Sequence, residues 1–246
     1  MIRIIAAVLF VTLFLIVSLP MIGVELLLGL FSRKARDKSS LAIVAWAFRV
    51  VERIAGTKTT VIGEENIPKD EAVLFVSNHR SIFDTVLLYG RMKQVTGFVA
   101  KTETKKIPVL SWWMILLHCK FLDRHDIKQG LQVILSCIED VKNGISIMIF
   151  PEGTRGKGED ETEVLDFKEG SMKVAVKGGV RIVPIAISGS RAILEAQFPR
   201  VKPARVVIRY GKPIDPKEFT KEEQKRMGEV ARGRIIDMLK ESGVQR

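Results

Sequence analysis

Cysteine is nearly absent from this 246-residue chain. The two present, Cys119 and Cys137, lie inside apolar stretches and build neither a disulfide framework nor a CxxC-type zinc site. The HExxH, GxxxxGK(S/T) and GxSxG patterns are missing as well, which removes zinc proteolysis, P-loop chemistry and nucleophile-elbow hydrolysis. No metal site is expected. Aromatic residues make up only 7% of the chain, and no RNP-type or helix-turn-helix signature occurs, so nucleic acid is not the expected partner of the +11 net charge. With a pI near 9.7, the remaining anionic partners are an acidic membrane and a phosphorylated substrate.

What is abundant is apolar sequence at the N-terminal end. No charge interrupts Ile4 to Val24, and ELLLGLF carries the run on to Phe31. A bilayer core needs about 20 apolar residues, and a signal-peptide core only about 7–15. The basic cluster SRKARDK follows, with Arg33, Lys34, Arg36 and Lys38, which puts the following domain on the cytoplasmic face of the cell membrane. A second segment sets Leu41, Val44, Ala45, Phe48, Val51 and Ile54 on one helical stripe, capped by Ser39 or Ser40 and ended by Gly56. Pro20 is placed to bend the first helix. Residues 1–56 are therefore expected to form a two-helix membrane anchor, either monotopic or with one span.

Residues 57–246 read as one α/β domain, a mixed and largely buried sheet flanked by helices. AVLFVS, GFVAK, ISIMIF and RIVPIAI are short apolar runs of the kind that form buried strands, KFLDR adds a short strand and ARVVIRYG a late one, and TTVIGEENIP is a strand and turn. Helices are expected from Ser81, after Pro108, over DIKQGLQVILSCIEDVK up to Asn143-Gly144, and around GSMKVAVKGG. A charged stretch from Lys221 to Glu241 reads as a surface helix, and GKGEDETE, 156–163, as a flexible insertion.

SNHRSIFD, 77–84, places a histidine just past a buried strand. A lone histidine is more often a satisfied structural residue than a catalytic one. Ser81 and Asp84 alone make a helix-capping arrangement. Positions five apart on one helix point about 140° apart, but a strand–loop–helix junction lets His79 meet the Asp84 carboxylate. The carboxylate would fix the tautomer and leave the other ring nitrogen as a general base. FPEGTR, 150–155, follows another buried strand and offers a turn at Gly153 and a cation, Arg155, where α/β sheets bind ligands.

In NHRSIFD, KFLDR, FPEGTR and VPIAI, joined by AKTETKKIP, the chain resembles the glycerolipid acyltransferases of the 1-acylglycerol-3-phosphate acyltransferase type over about residues 73–190. Thr104 stands where that family usually has Leu. The resemblance implies acyl transfer from an acyl carrier protein or coenzyme A thioester to the 2-hydroxyl of 1-acylglycerol 3-phosphate (lysophosphatidic acid). Neither a bound cofactor nor an acyl-enzyme is needed. It implies His79 as base oriented by Asp84, and Arg124, Arg155 and Lys105 on the acceptor phosphate, with Lys101 and Lys173 in reserve. Glu152 would hold an acceptor hydroxyl, orient Arg155 or pair with a lysine. Backbone N–H groups of the His79 loop or of Gly153 would receive the oxyanion. Trp112 and Trp113 are read as core, or as an acyl-chain pocket or membrane face. Glycerol 3-phosphate or another lysophospholipid is the alternative acceptor. A non-catalytic membrane protein binding acidic phospholipid is the alternative class.

Overall fold

A computed structural model describes residues 1–243. Seven strands form a single sheet in the order β1-β7-β6-β2-β5-β3-β4. They are β1 (Lys58–Ile62), β2 (Leu74–Ser77), β3 (Thr96–Lys101), β4 (Lys120–Leu122), β5 (Ser146–Ile149), β6 (Ile182–Ser188) and β7 (Arg205–Tyr210). Neighbours pair in parallel except β6 with β7. The helices are α1 (Ile2–Phe31), α2 (Arg33–Ala55), α3 (Phe83–Tyr89), α4 (Pro108–Leu116), α5 (Ile127–Lys142), α6 (Glu169–Gly178) and α7 (Met227–Gly243).

The central strands are apolar on both faces because helices cover both. Along β2 and the residues before it, Val73 and Phe75 enter one core while Ala72, Leu74 and Val76 enter the other, as the two-residue period of a strand requires. The first core gathers α2, α3 and α4, and the second α5, α6 and α7. α7 is thus more than a surface helix. After a 3-10 turn at Glu223–Arg226 it buries Met227, Ala231, Ile235, Met238 and Leu239, a stripe that its charged residues mask in the sequence.

The 30 residues of α1 measure about 45 Å at helical rise, and α1 is long and apolar enough to cross a membrane. Only Ser18, Ile22 and Glu25 are buried in it, whereas Leu9, Ile16 and Leu27 are each at least 60% exposed. α2 starts six residues before the expected capping serines. Ser32 is its cap, accepting from the Ala35 N–H, and this serine directly follows the apolar run. Ser39 and Ser40 are instead spent on the seam, donating to the two Glu25 oxygens at 2.6 and 3.1 Å. At the other end of the pair, Arg3 donates to the Ile54 carbonyl at 2.9 Å, and Gly56 closes α2 with φ 72°.

α1 and α2 also touch the sheet domain through polar contacts. Trp113 of α4, 2% exposed, donates Nε1–H to Ser18 Oγ at 2.9 Å. His118 Nε2 lies 2.9 Å from Asp37. The two tryptophans therefore part company, Trp113 in the seam and Trp112 half exposed on the surface.

Candidate active site

Three neighbouring parallel strands, β6, β2 and β5, send their C-terminal ends to one edge of the sheet, the edge at which such sheets bind ligands. Asn78, leaving β2, clamps that edge. Its Nδ2 donates to the Ile187 carbonyl and its Oδ1 accepts from the Ile187 N–H, both at 2.9 Å. The next residue is His79, whose Nδ1 lies 2.8 Å from Asp84 Oδ2. The same carboxylate oxygen accepts the Arg80 N–H at 2.7 Å and the Ser81 N–H at 2.8 Å. Capping and histidine orientation, alternatives in the sequence, are thus done together by one buried oxygen. α3 itself starts at Phe83, two residues after Ser81, which accepts the Phe83 N–H.

With Nδ1–H donated to Asp84, the His79 lone pair sits on Nε2, which makes no hydrogen bond among the described residues. The ring stacks on Phe150 at a centroid distance of 4.1 Å and 19° between planes. Phe150 begins FPEGTR, so this contact joins the two motifs. Glu152 joins them again. Its Oε1 accepts the His79 N–H at 2.6 Å and its Oε2 the Leu165 N–H at 3.0 Å. It is 7% exposed and its carboxyl is raised above the ordinary range by burial, which those two N–H donors partly offset. Its place is under the histidine loop; among the described residues it makes no ion pair with Arg155 or a lysine.

The N–H groups of residues 79–84 are all engaged within the protein. They go to Glu152, Asp84 twice, Glu195, Ser81 Oγ and the Ser81 carbonyl. The Gly153 N–H closes its own turn on the Phe150 carbonyl at 3.0 Å. None of these is an oxyanion donor in this arrangement, because the tight turns that set the side chains consume them. Gly153 has φ +70°, and a Cβ there would come within 3.1 Å of the Lys168 ammonium end. The glycine thus serves the turn and admits a cation that no motif marks.

The segment 156–163 is strapped down over the site. The Gly156 N–H donates to the His79 carbonyl at 2.8 Å. The Arg80 guanidinium, in a residue 5% exposed, reaches the carbonyls of Gly158 and Asp160. Glu161 accepts from Ser188 Oγ and from the Gly189 N–H, 2.8 Å for the latter. Its charged, glycine-rich composition reads as flexible only while those partners are out of view. Asn78 opens the NHRSIFD motif, whereas Arg80 and Glu161 carry no chemical signature beyond being polar residues near strand ends.

Arg155 stands at the same edge, half exposed, with Nη1 2.8 Å from Glu195 Oε1. Lys105 and Arg124 lie farther along it, in the 3-10 turn after β3 and just past β4. Both are exposed and make no hydrogen bond to the His79 cluster among the described residues. Lys101 is tied to Glu103, and Lys173 is exposed on α6. Among the described residues, no serine or cysteine is hydrogen-bonded to the His79 ring. The two cysteines are buried elsewhere, their thiols pushed up by burial to about 11 for Cys119 and about 12 for Cys137.

The family model for Acyltransferase matches residues 58–188, slightly over half the chain. A Saccharomyces cerevisiae protein named 1-acyl-sn-glycerol-3-phosphate acyltransferase is 30% identical over 197 residues, covering 80% of this chain and 64% of that protein. One of the same name from Borreliella burgdorferi is 30% identical over 186 residues, covering 76% of this chain and 73% of its own length. For a probable one from Mycoplasma pneumoniae the figures are 31%, 68% and 65%. The match thus spans just under two thirds of the yeast and Mycoplasma relatives. The crystal structure of the 1-acyl-sn-glycerophosphate (LPA) acyltransferase PlsC from Thermotoga maritima superposes with a TM-score of 0.75 at 30% identity, covering 97% of this chain and 98% of that one.

Proposed function

Since this chain belongs to the Acyltransferase family, we propose that it moves a fatty acyl group from an acyl thioester to the 2-hydroxyl of 1-acyl-sn-glycerol 3-phosphate, giving phosphatidic acid. The observation that carries the reading is the 2.8 Å contact of His79 Nδ1 with Asp84, which leaves Nε2 without a hydrogen-bond partner among the described residues, at the C-terminal edge of the sheet where Arg155 also stands. Nε2 takes the hydroxyl proton as the oxygen attacks the thioester carbon. Asp84 stabilises the imidazolium so formed. When the tetrahedral intermediate collapses, the carbon–sulfur bond breaks and the proton passes to the departing thiolate, which regenerates the neutral histidine. No protein nucleophile intervenes. The thioester is that of acyl carrier protein or coenzyme A.

Arg155 binds the acceptor phosphate through its planar fork, and Lys168, whose ammonium end flanks the Gly153 turn, is a further cation beside that turn. Arg124 and Lys105 are outer cations along the route by which an anionic headgroup reaches the edge. Residues 1–56 serve as the membrane anchor and 57–246 as the acyltransferase domain, held on the cytoplasmic face. The exposed apolar surface of α1 supports this, since both acceptor and product then stay in the bilayer.

The test is transfer of a labelled acyl group from a thioester to 1-acylglycerol 3-phosphate in lipid, beside His79→Ala, with glycerol 3-phosphate and lysophosphatidylcholine offered in parallel. Phosphatidic acid from the unaltered protein alone is the expected result. Product from both proteins would reduce the histidine loop to a helix cap, and product only with another acceptor would reassign the substrate.

A further inference from the structure

Arg155 is not left to find its own orientation. Glu195, in the 3-10 turn Glu195–Gln197 beyond β6 and outside the family model's 58–188 span, accepts Arg155 Nη1 at 2.8 Å on its Oε1. The same oxygen accepts the Ile82 N–H, also at 2.8 Å. Ile82 lies three residues from His79 in the loop that carries the base. Glu195 Oε2 is buried and meets no donor among the described residues. One oxygen therefore joins the guanidinium to the histidine loop. Because Nη1 alone is engaged among the described residues, Arg155 keeps Nε and Nη2 for a ligand.

We propose that Glu195 is a positioning residue for the acceptor phosphate, holding Arg155 in a fixed relation to His79 through the Ile82 N–H. This rests on the reading of Arg155 as the phosphate cation. An arginine side chain on a glycine-flanked turn has several free torsions, and binding a phosphate with it costs the entropy of ordering them. Glu195 orders the guanidinium before the substrate arrives. It acts on acceptor affinity through another residue and takes no part in proton transfer. The shared oxygen also explains why charge alone is not the requirement: a glutamine oxygen at the same place accepts both hydrogen bonds.

The experiment uses the full chain in detergent micelles. It measures both turnover and the dissociation constant for 1-acylglycerol 3-phosphate, with 1-monoacylglycerol, which lacks the phosphate, as the control ligand. The variants are Glu195→Ala, Glu195→Asp, Glu195→Gln, Arg155→Ala and the Glu195→Ala/Arg155→Ala pair. Losing one charge-assisted hydrogen bond at a half-exposed site should weaken the phosphate ligand about tenfold, in both KM and Kd, for alanine and for the shortened aspartate. kcat should move by less than about twofold, as for a group that binds ground and transition states alike. Glutamine should restore affinity to within about threefold, since it keeps the accepting oxygen. Monoacylglycerol binding should not change, and the pair should bind no more weakly than Arg155→Ala alone.

Tighter binding by Glu195→Ala would overturn the proposal, because Glu195 would then be a competitor of the phosphate. Equal weakening of both ligands, or a loss that adds to that of Arg155→Ala, would also overturn it and leave Glu195 as a brace for the loop. Absence of turnover with any acceptor strikes the acyltransfer reading alone, as the dissociation constants still report the coupling of Glu195 to Arg155. Failure of the unaltered protein to prefer the phosphate ligand removes both.

Discussion

Asp84 does two jobs with one oxygen, so its substitutions separate them. Asparagine keeps an oxygen that accepts the Arg80 and Ser81 N–H groups, but it no longer neutralises the imidazolium or fixes the tautomer. Asp84→Asn should therefore lower kcat by about 10²–10⁴-fold and leave the thermal midpoint nearly unchanged. Asp84→Ala should show the same kinetic loss and in addition cost about 1 kcal/mol of stability, the usual value of a lost helix cap. Steady-state kinetics beside calorimetry distinguishes the two effects. The cysteines give a second measurable consequence. Burial holds the Cys119 and Cys137 thiols at about 11 and about 12, above the about 8.5 of a free cysteine. Their acid form is favoured in the folded state, so their contribution to stability is present below about pH 8.5 and is lost as pH rises through the folded values. At pH 8 the folded protein should react slowly with a thiol reagent and the denatured protein should present two reactive thiols. Rapid labelling of the folded form would show that one cysteine is reachable from solvent.

Individual elements carry constraints that are local and steep. β3 passes so near the end of α4 that a Cβ on Gly97 would come within 2.3 Å of the His118 carbonyl oxygen. His118 holds φ 59° there, while its ring reaches Asp37 in α2. Gly97→Ala must push the two segments apart, at about 1–3 kcal/mol for an overpacked core position, and a lowered denaturant midpoint in detergent checks this. The seam between α1 and α4 is tested by Trp113→Phe, which keeps the ring packing against Phe14 and removes the hydrogen bond to Ser18. A loss of about 1 kcal/mol is expected. No change would mean that Ser18 is satisfied by the Leu15 carbonyl, to which it already donates.

The molecule as a whole joins a sheet domain to a helix pair in which α1 presents an apolar outer surface. A simple deletion of residues 1–56 does not isolate that surface's role. α2 shares a core with the sheet through Leu41, Val44, Val51 and Ala55, so the deletion strips one face of the domain. Charging the outward face is the cleaner test. Leu9→Asp, Ile16→Asp and Leu27→Asp alter exposed positions only, and a charge costs about 2.5–3.5 kcal/mol at the centre of a membrane-inserted helix. The triple variant should stop floating with lipid vesicles and lose activity on vesicle-borne acceptor. It should keep its activity on acceptor dispersed in detergent. Unaltered flotation would place the membrane contact elsewhere on the surface.

Two kinds of information were legible without the fold. Apolar runs such as AVLFVS and ISIMIF exposed the buried strands, because a strand covered on both faces has little room for polar residues, and the long uncharged N-terminal run exposed α1 by length alone. The spacing of His79 and Asp84 across a strand–loop–helix junction likewise set out their meeting. The helix pair's polar seam was hidden, since Glu25, Ser39 and Ser40 look like ordinary polar residues until α1 and α2 are packed. The same holds for Glu195, which is over a hundred positions from Ile82 in the chain yet bonded to its N–H. Periodicity and capping depend on neighbours a few residues apart, so sequence determines them. Which backbone donors are used up, which loop is strapped and which carboxylate holds which cation depend on groups far apart in sequence, brought together by the β6-β2-β5 order, and that only the tertiary structure decided.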